Sequence, residues 1–376
     1  MKYLWCKPAV LLFWGTIVML TSCTDSGENR KADDKPIKNK YARGFEIIQQ
    51  SQGYTLRVFD PAQNSKNNSY SYRLTRNSAK KNEIHVPVKR IICCSTSHVA
   101  FLSALNEADK LTGISTGKLV FDTLVSGRFY RGEILDIGYE TTFDMEVIVS
   151  LKPDVIFAYG VDYNSLGSFQ KIEAMGIPVV WIGEYLEPDI LGRTEWLLFF
   201  SCFFDKLNYA HVQFDSIADR YNKLVTTATQ HKGGRPLVIT GLPWRGTWFV
   251  PGGKSYFSSL IRDAGGEYIF SKDTHTESIP VPLEDVFYQA QNVSVWLNPN
   301  NCVNKKEILV TDSRFDNFAP LHQAIICNNN KRMNHNGGND FWESGIIHPD
   351  IVLNDLIHIF HDTIINEDSL FYYRKL

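Results

Sequence analysis

Two clusters in this chain set aromatic rings beside polar or charged neighbours. Trp244-Arg245-Gly246-Thr247-Trp248 interrupts an apolar run, and Phe341-Trp342-Glu343 follows Gly337-Gly338-Asn339-Asp340. Rings turned toward a cavity suit a large planar or ring-rich molecule, and an arginine beside them can pair with carboxylates. Ser97-His98 stands where an apolar strand gives way to a helix, a place where outward-facing backbone N–H groups favour anions. Patterns for catalysis are missing. The run Gly113-Ile114-Ser115-Thr116-Gly117-Lys118 is too short for a phosphate loop and has Leu119 where a hydroxyl is needed, while Gly252-Gly253-Lys254-Ser255 lacks the earlier glycine. Neither a Gly-x-Ser-x-Gly elbow nor a His-Glu-x-x-His site occurs. A free-metal site needs several histidines and carboxylates converging, yet His358 and His361 fall on a late amphipathic stretch and His231 closes a helical run. The chemistry indicated is reversible binding of a small molecule. No catalytic residue, metal ligand or resident cofactor is assigned.

The elements that would position these residues repeat. Residues 142–159 share a skeleton with residues 280–297: Glu146 or Glu284 opens an apolar helical stretch, and eight positions later Asp154 or Asn292 starts a buried strand. One helix-then-strand unit in each half predicts two similar lobes with a ligand cleft between them, the ligand lying at loops on the strand ends. Strand and helix patterns alternate on both sides, which predicts α/β lobes with parallel sheets covered by helices. Between them residues 189–230 keep helical periodicity without an internal proline, and Gly233-Gly234-Arg235-Pro236 ends the run, so a single long connecting helix is expected. Alternating runs within residues 41–76 predict a small β-meander ahead of the first lobe.

At the N-terminus, Lys2 and Lys7 flank a short apolar stretch that ends in Leu20-Thr21-Ser22-Cys23. It is too brief to span a bilayer and resembles a bacterial lipoprotein signal, with Cys23 as the lipid-bearing first mature residue. Polar residues 24–40 read as a flexible tether. The expected organisation is a signal peptide (1–22), tether (23–40), β-rich extension (41–85), first lobe (86–188), connecting helix (189–231) and second lobe (232–376). A net charge of −2 gives no electrostatic case for nucleic-acid binding. Cys93 and Cys94 are adjacent in an apolar run and should point to opposite faces, while Cys302 and Cys327 are candidates for a disulfide in an oxidising compartment.

The segments VPVKRIICCSTSHVAFLSAL, FDMEVIVSLKPDVIF, GIPVVWIGEY and PGGKSYFSSLIRDAGG, in that order, resemble the periplasmic binding proteins that feed iron-siderophore, heme and cobalamin importers of the ABC type. The resemblance covers roughly residues 86–362. It implies two α/β lobes on one rigid helix, a monomer in the periplasm held to the membrane by its lipid, and an inner-membrane ABC permease as partner. It further implies that Glu146 and Glu284 dock onto permease arginines, a pairing at two points that fixes orientation as well as attraction. Tyr159, after its strand, takes a position where the cobalamin-binding relative has an aromatic. The ligand-binding set is then Ser97, His98, Tyr159, Trp244, Arg245, Trp248, Phe341 and Trp342. The expected ligand is an iron complex of the siderophore type, with cobalamin as the alternative.

Overall fold

The computed structural model describes residues 34–376, apart from 63–66, 78–79, 81, 140–141, 161–162, 232 and 363–364. The leader, Cys23 and most of the expected tether lie outside the described residues.

The β-rich extension forms, but it starts earlier than residue 41. Strands β1 (Lys35–Ile37), β2 (Phe45–Gln50), β3 (Gly53–Phe59), β4 (Ser69–Thr75) and β5 (Glu83–His85) make one sheet in sequential order, antiparallel except for the last pair. Lys35 sits opposite Gln49, so the end of the expected tether is a sheet edge, too short to show period-two alternation in sequence. The sheet is fastened to the body by two buried carboxylates. Glu195 accepts the backbone N–H groups of Lys40, Tyr41 and Ala42, each at 2.7 Å, and Glu187 accepts those of Arg43 and Gly44. Burial pushes the Glu187 carboxyl up against the lowering effect of these bonds. A segment whose N–H groups are collected by buried carboxylates is part of the fold, not a loose appendage.

In the first lobe the chain runs through β6 (Ile91–Cys93), α1 (Thr96–Ala104), β7 (Leu111–Ile114), α2 (Thr123–Tyr130), β8 (Leu135–Asp136), α3 (Met145–Leu151), β9 (Val155–Ala158), α4 (Tyr163–Ala174) and β10 (Val179–Trp181). The sheet order is β10-β9-β6-β7-β8 and every pair is parallel. Cys93 packs in the large core and Cys94 in the smaller cluster on the other face, as strand alternation requires.

The connector differs from the single helix expected. It is two helices, α5 (Ile190–Ser201) and α6 (Leu207–Thr229), separated by a short 3₁₀ turn and Asp205 in the left-handed region at φ 56°. The two helices pack on each other and α6 also packs on the C-terminal helix. Their chemistry explains the break. Apart from partly buried Arg193, α5 is buried on all sides, whereas α6 is amphipathic with Phe214, Ile217 and Tyr221 turned inward. Aspartate tolerates the left-handed conformation, so neither glycine nor proline was needed to mark the corner.

The second lobe contains β11 (Leu237–Thr240), β12 (Thr247–Pro251), α7 (Tyr256–Asp263), β13 (Glu267–Tyr268), β14 (Ser278–Pro282), α8 (Leu283–Gln289), β15 (Val295–Leu297), α9 (Lys305–Thr311), α10 (Ala319–Gln323), β16 (Ile325–Asn328), α11 (Asp340–Glu343), α12 (Pro349–His361) and β17 (Arg374–Lys375). Its sheet order is β13-β11-β15-β16-β17, parallel but for the last pair, and β12 with β14 forms a separate antiparallel ribbon. Cys302 and Cys327 are both buried free thiols, so the candidate disulfide is not formed.

The lobes are also latched directly. Glu343, buried in α11, accepts the backbone N–H groups of Phe121 and Asp122 from the first lobe, both at 2.7 Å. Asn334 donates to the carbonyls of Lys118 and Val120 at 3.1 and 3.0 Å. Gly338 lies so close that a Cβ there would stand 2.0 Å from the Leu119 carbonyl oxygen. No helix among the described residues is long and apolar enough to cross a membrane.

Candidate functional site

A cavity of about 410 Å³ opens between the lobes. From the second lobe it is lined by Thr240 at the end of β11 and Gly241 just after it, Asn298 after β15, Phe249 and Pro251 on β12, and Ser255, Tyr256 and Phe257 at the start of α7. Tyr185 and Leu186, in the turn after β10, close it from the first lobe; Arg193 of α5 and Trp342 of α11 complete the wall. Carboxyl ends of parallel strands, an aromatic lining and a few polar groups are the features of a small-molecule site in an α/β protein. A larger hollow of about 560 Å³ lies between α1, α6 and the Glu343 latch. The first cavity is the better site, because the larger one is walled by helix flanks and its arginines are already paired, Arg220 with Asp350 at 2.5 Å and Arg332 with Asp340 at 2.6 Å.

Of the eight ligand residues expected from sequence, only Trp342 lines this cavity. Half exposed, it meets Phe341 edge-on at 4.8 Å, and Phe341 itself is buried. Trp248 does not reach the cleft: fully buried, it sits among Trp296, Phe315 and Phe318 at 5.8–6.2 Å between ring centres. Its place follows from period-two alternation along β12, which sends Trp248 and Val250 inward and Phe249 to the cavity. It still shapes the site, since its indole N–H donates to the Thr240 carbonyl at 2.9 Å and that of Trp296 donates to Gly241 at 2.8 Å. The floor of the cleft is thus pinned from beneath by two core tryptophans. Trp244 and Arg245 stand exposed at the turn before β12, the guanidinium 4.4 Å over the indole, outside the cavity lining.

The first-lobe residues are withdrawn as well. His98 has no exposure and is surrounded by Phe200, Phe157 and Tyr159, with ring centres 5.7–6.4 Å away. Burial drives its pKa down to about 3, so it is a neutral core histidine and no cation for an anionic ligand. Ser97, also buried, donates from Oγ to Glu184 at 2.9 Å. That bond fixes the turn carrying Tyr185 and Leu186, so Ser97 acts on the cleft through its neighbours. Tyr159 packs against His98 and stands 3.5 Å from the Tyr139 hydroxyl, likewise outside the lining.

Sequence reasoning missed Tyr185, Arg193, Phe249 and Tyr256. Phe249 was legible from the strand alternation just described. Arg193 was hidden in a stretch read as connector, although a lone cation in an apolar helix turn is itself a signal. Its guanidinium lies 4.3 Å over the Tyr256 ring, and its Nε is buried without a hydrogen-bond partner among the described residues.

Glu146 and Glu284 occupy the same place in the two copies of the repeat. Each is the second residue of a seven-residue helix, α3 or α8, that precedes a parallel strand, and each is exposed. Glu284 meets Arg314 at 2.9 Å, an exposed pair of small energetic weight.

Comparison with known proteins agrees with this architecture. Residues 91–313 match the family model described as periplasmic binding protein, and the chain belongs to that family, one of solute-binding proteins and not of enzymes. An uncharacterized lipoprotein of Methanocaldococcus jannaschii is 26% identical over 295 residues, which is 74% of this chain and 66% of the relative, just under two thirds of its length. A second lipoprotein of that organism is 25% identical over 347 residues, 82% of this chain and 85% of the relative. Among solved structures, a possible iron-binding (periplasmic solute-binding) protein of Staphylococcus epidermidis superposes with a TM-score of 0.56 at 16% identity, covering 72% of this chain and 98% of that one. A periplasmic heme binding protein of Pseudomonas aeruginosa gives 0.55 at 15% identity, covering 77% and 95%. At these identities the likeness establishes the fold.

Proposed function

We propose that this chain is the extracytoplasmic solute-binding component of an ABC importer, lipid-anchored through Cys23, that holds an iron complex in the interlobe cleft and presents it to the permease. The observation that carries the reading is the cleft itself: Tyr185, Phe249, Tyr256, Phe257 and Trp342 line a cavity at the strand ends of two lobes, an apolar aromatic setting for a ring-rich solute. Further support comes from proteins of similar fold, among them a possible iron-binding protein, a heme binding protein and an Fe3+-hydroxamate transport system, and from the lipoprotein relatives. Glu146 and Glu284 are the docking residues in this reading, one exposed carboxylate on each lobe at matched positions. Converting both to alanine should leave ligand affinity unchanged while uptake through the cognate permease falls, with single variants intermediate. An affinity loss as large as the uptake loss rejects the assignment. Cobalamin is the alternative cargo, and the absorption spectrum and mass of whatever co-purifies with the membrane-released protein distinguish it from an iron complex.

A further inference from the structure

We infer that Arg193 is the anion-recognising group of the cleft, and that the cleft selects a ring-rich solute of low negative charge, with a carboxylate edge on an otherwise uncharged body. This rests on the solute-binding reading above and adds the charge class of the solute.

Among the cavity-lining residues only Arg193 and Glu277 carry charge. Arg193 has no carboxylate partner among the described residues, unlike Arg220 and Arg332 nearby. Its plane is set by stacking on Tyr256, which leaves the fork of N–H donors oriented before any ligand arrives. The helix that carries it is rigid at that point: the neighbouring Thr194 donates from Oγ to the Ile346 carbonyl across the lobe boundary at 2.7 Å. Helix α7 begins at the same wall, so the first-turn N–H groups of Tyr256 and Phe257 add partial positive charge beside the guanidinium.

Its Nε–H is closed off from the cavity, so an incoming carboxylate meets the outer N–H groups of the guanidinium, to which the described residues supply no acceptor. The remaining polar wall is neutral, made of Thr240, Ser255, Thr276, Ser278 and Asn298. A polyanion would therefore find one cation for several charges and an exposed Glu277 repelling the rest. An aromatic body with one carboxylate edge meets the rings and the fork together.

The probes are haemin, its neutral dimethyl ester, the neutral ferric tris-hydroxamate ferrichrome, a trianionic ferric tris-catecholate, cyanocobalamin and iron-free benzoate. They are titrated by quenching of intrinsic fluorescence against the parent, Arg193→Gln and Arg193→Lys. The parent should bind haemin about ten- to a hundredfold tighter than the ester, the factor expected for a charge-assisted hydrogen bond. Arg193→Gln should erase that difference while leaving the ester unchanged, Arg193→Lys should retain part of it, and the tris-catecholate should bind more weakly than haemin. The inference is overturned if the parent binds ester and haemin equally, if Arg193→Gln weakens both alike, or if the tightest probe is the polyanion or a neutral complex indifferent to Arg193. Should no iron complex bind while benzoate raises the melting temperature of the parent but not of Arg193→Gln, the anion subsite stands and the iron-complex reading falls. Inertness to benzoate as well removes both. The haemin-against-ester comparison in the parent needs no variant, so a misfolded substitution does not shield the idea.

Discussion

Replacing Glu343 with glutamine should remove a specific part of the pH dependence of stability. In the native protein this carboxyl is buried against the first lobe, and its pKa is raised from 4.5 to about 7 by desolvation, with Asp122 and Asp340 adding to the rise and the Phe121 and Asp122 N–H bonds opposing it. A carboxyl with a raised folded pKa holds its proton longer in the fold than in the unfolded chain. Its stabilising contribution is therefore full below about pH 4.5 and is lost as pH rises through about 7. The shift corresponds to about 3 kcal/mol between pH 5 and pH 8, at about 1.4 kcal/mol per unit. Glu187 and Asp355 also have raised values, but they are common to parent and variant and cancel in the difference. Urea unfolding at four pH values between 5 and 8 measures it. Parent stability relative to Glu343→Gln should fall by about 3 kcal/mol across that range, most steeply near pH 6, midway between the unfolded and folded values. Parallel curves would refute the reasoning, since they would mean the carboxyl titrates normally and the latch is open to solvent.

Truncating the two tryptophans should separate core from cleft. Trp248→Ala should cost about 3–5 kcal/mol of stability, because it empties a filled aromatic cluster, measurable by denaturant unfolding. Trp342→Ala should leave stability nearly intact and weaken ligand binding by about 1–3 kcal/mol, read by titration calorimetry with the co-purified ligand. Gly338→Ala should break the lobe latch at a cost of about 1–3 kcal/mol and broaden the small-angle scattering profile, since the Leu119 carbonyl has to move aside. An unchanged profile and stability would show that the latch does not hold the lobes.

Much of the fold could be read from residues, and the reasons are local. The matched units around Glu146 and Glu284 were visible because helix and strand periods change at the same offset in both, and the structure places both glutamates at the second position of a seven-residue helix. The corner at Asp205 was not visible as a glycine or proline, yet burial changes there from all-round to one-sided. The rigidity expected of one long helix must come instead from packing of α5 on α6 and from the latch, whose partners are more than two hundred residues apart and leave no periodic trace. The candidate site was the least legible part. Aromatic type alone did not tell Trp342 from Trp248; only the way each faces on its own element, helix α11 or strand β12, did. Arg193 carried a faint signal as a cation in an apolar helix turn, and its stacking on Tyr256, with no carboxylate partner among the described residues, makes it conspicuous.

The central claim is that one solute occupies the cavity between the lobes, and a plugged cleft tests it most directly. Ser278 is exposed on β14 and lines that cavity, so Ser278→Trp fills it from the rim without disturbing the core. Titration of parent and plugged protein with the co-purified ligand should give saturable one-to-one binding by the parent and none by Ser278→Trp, at equal thermal stability. Undiminished binding by the plugged protein would contradict the account.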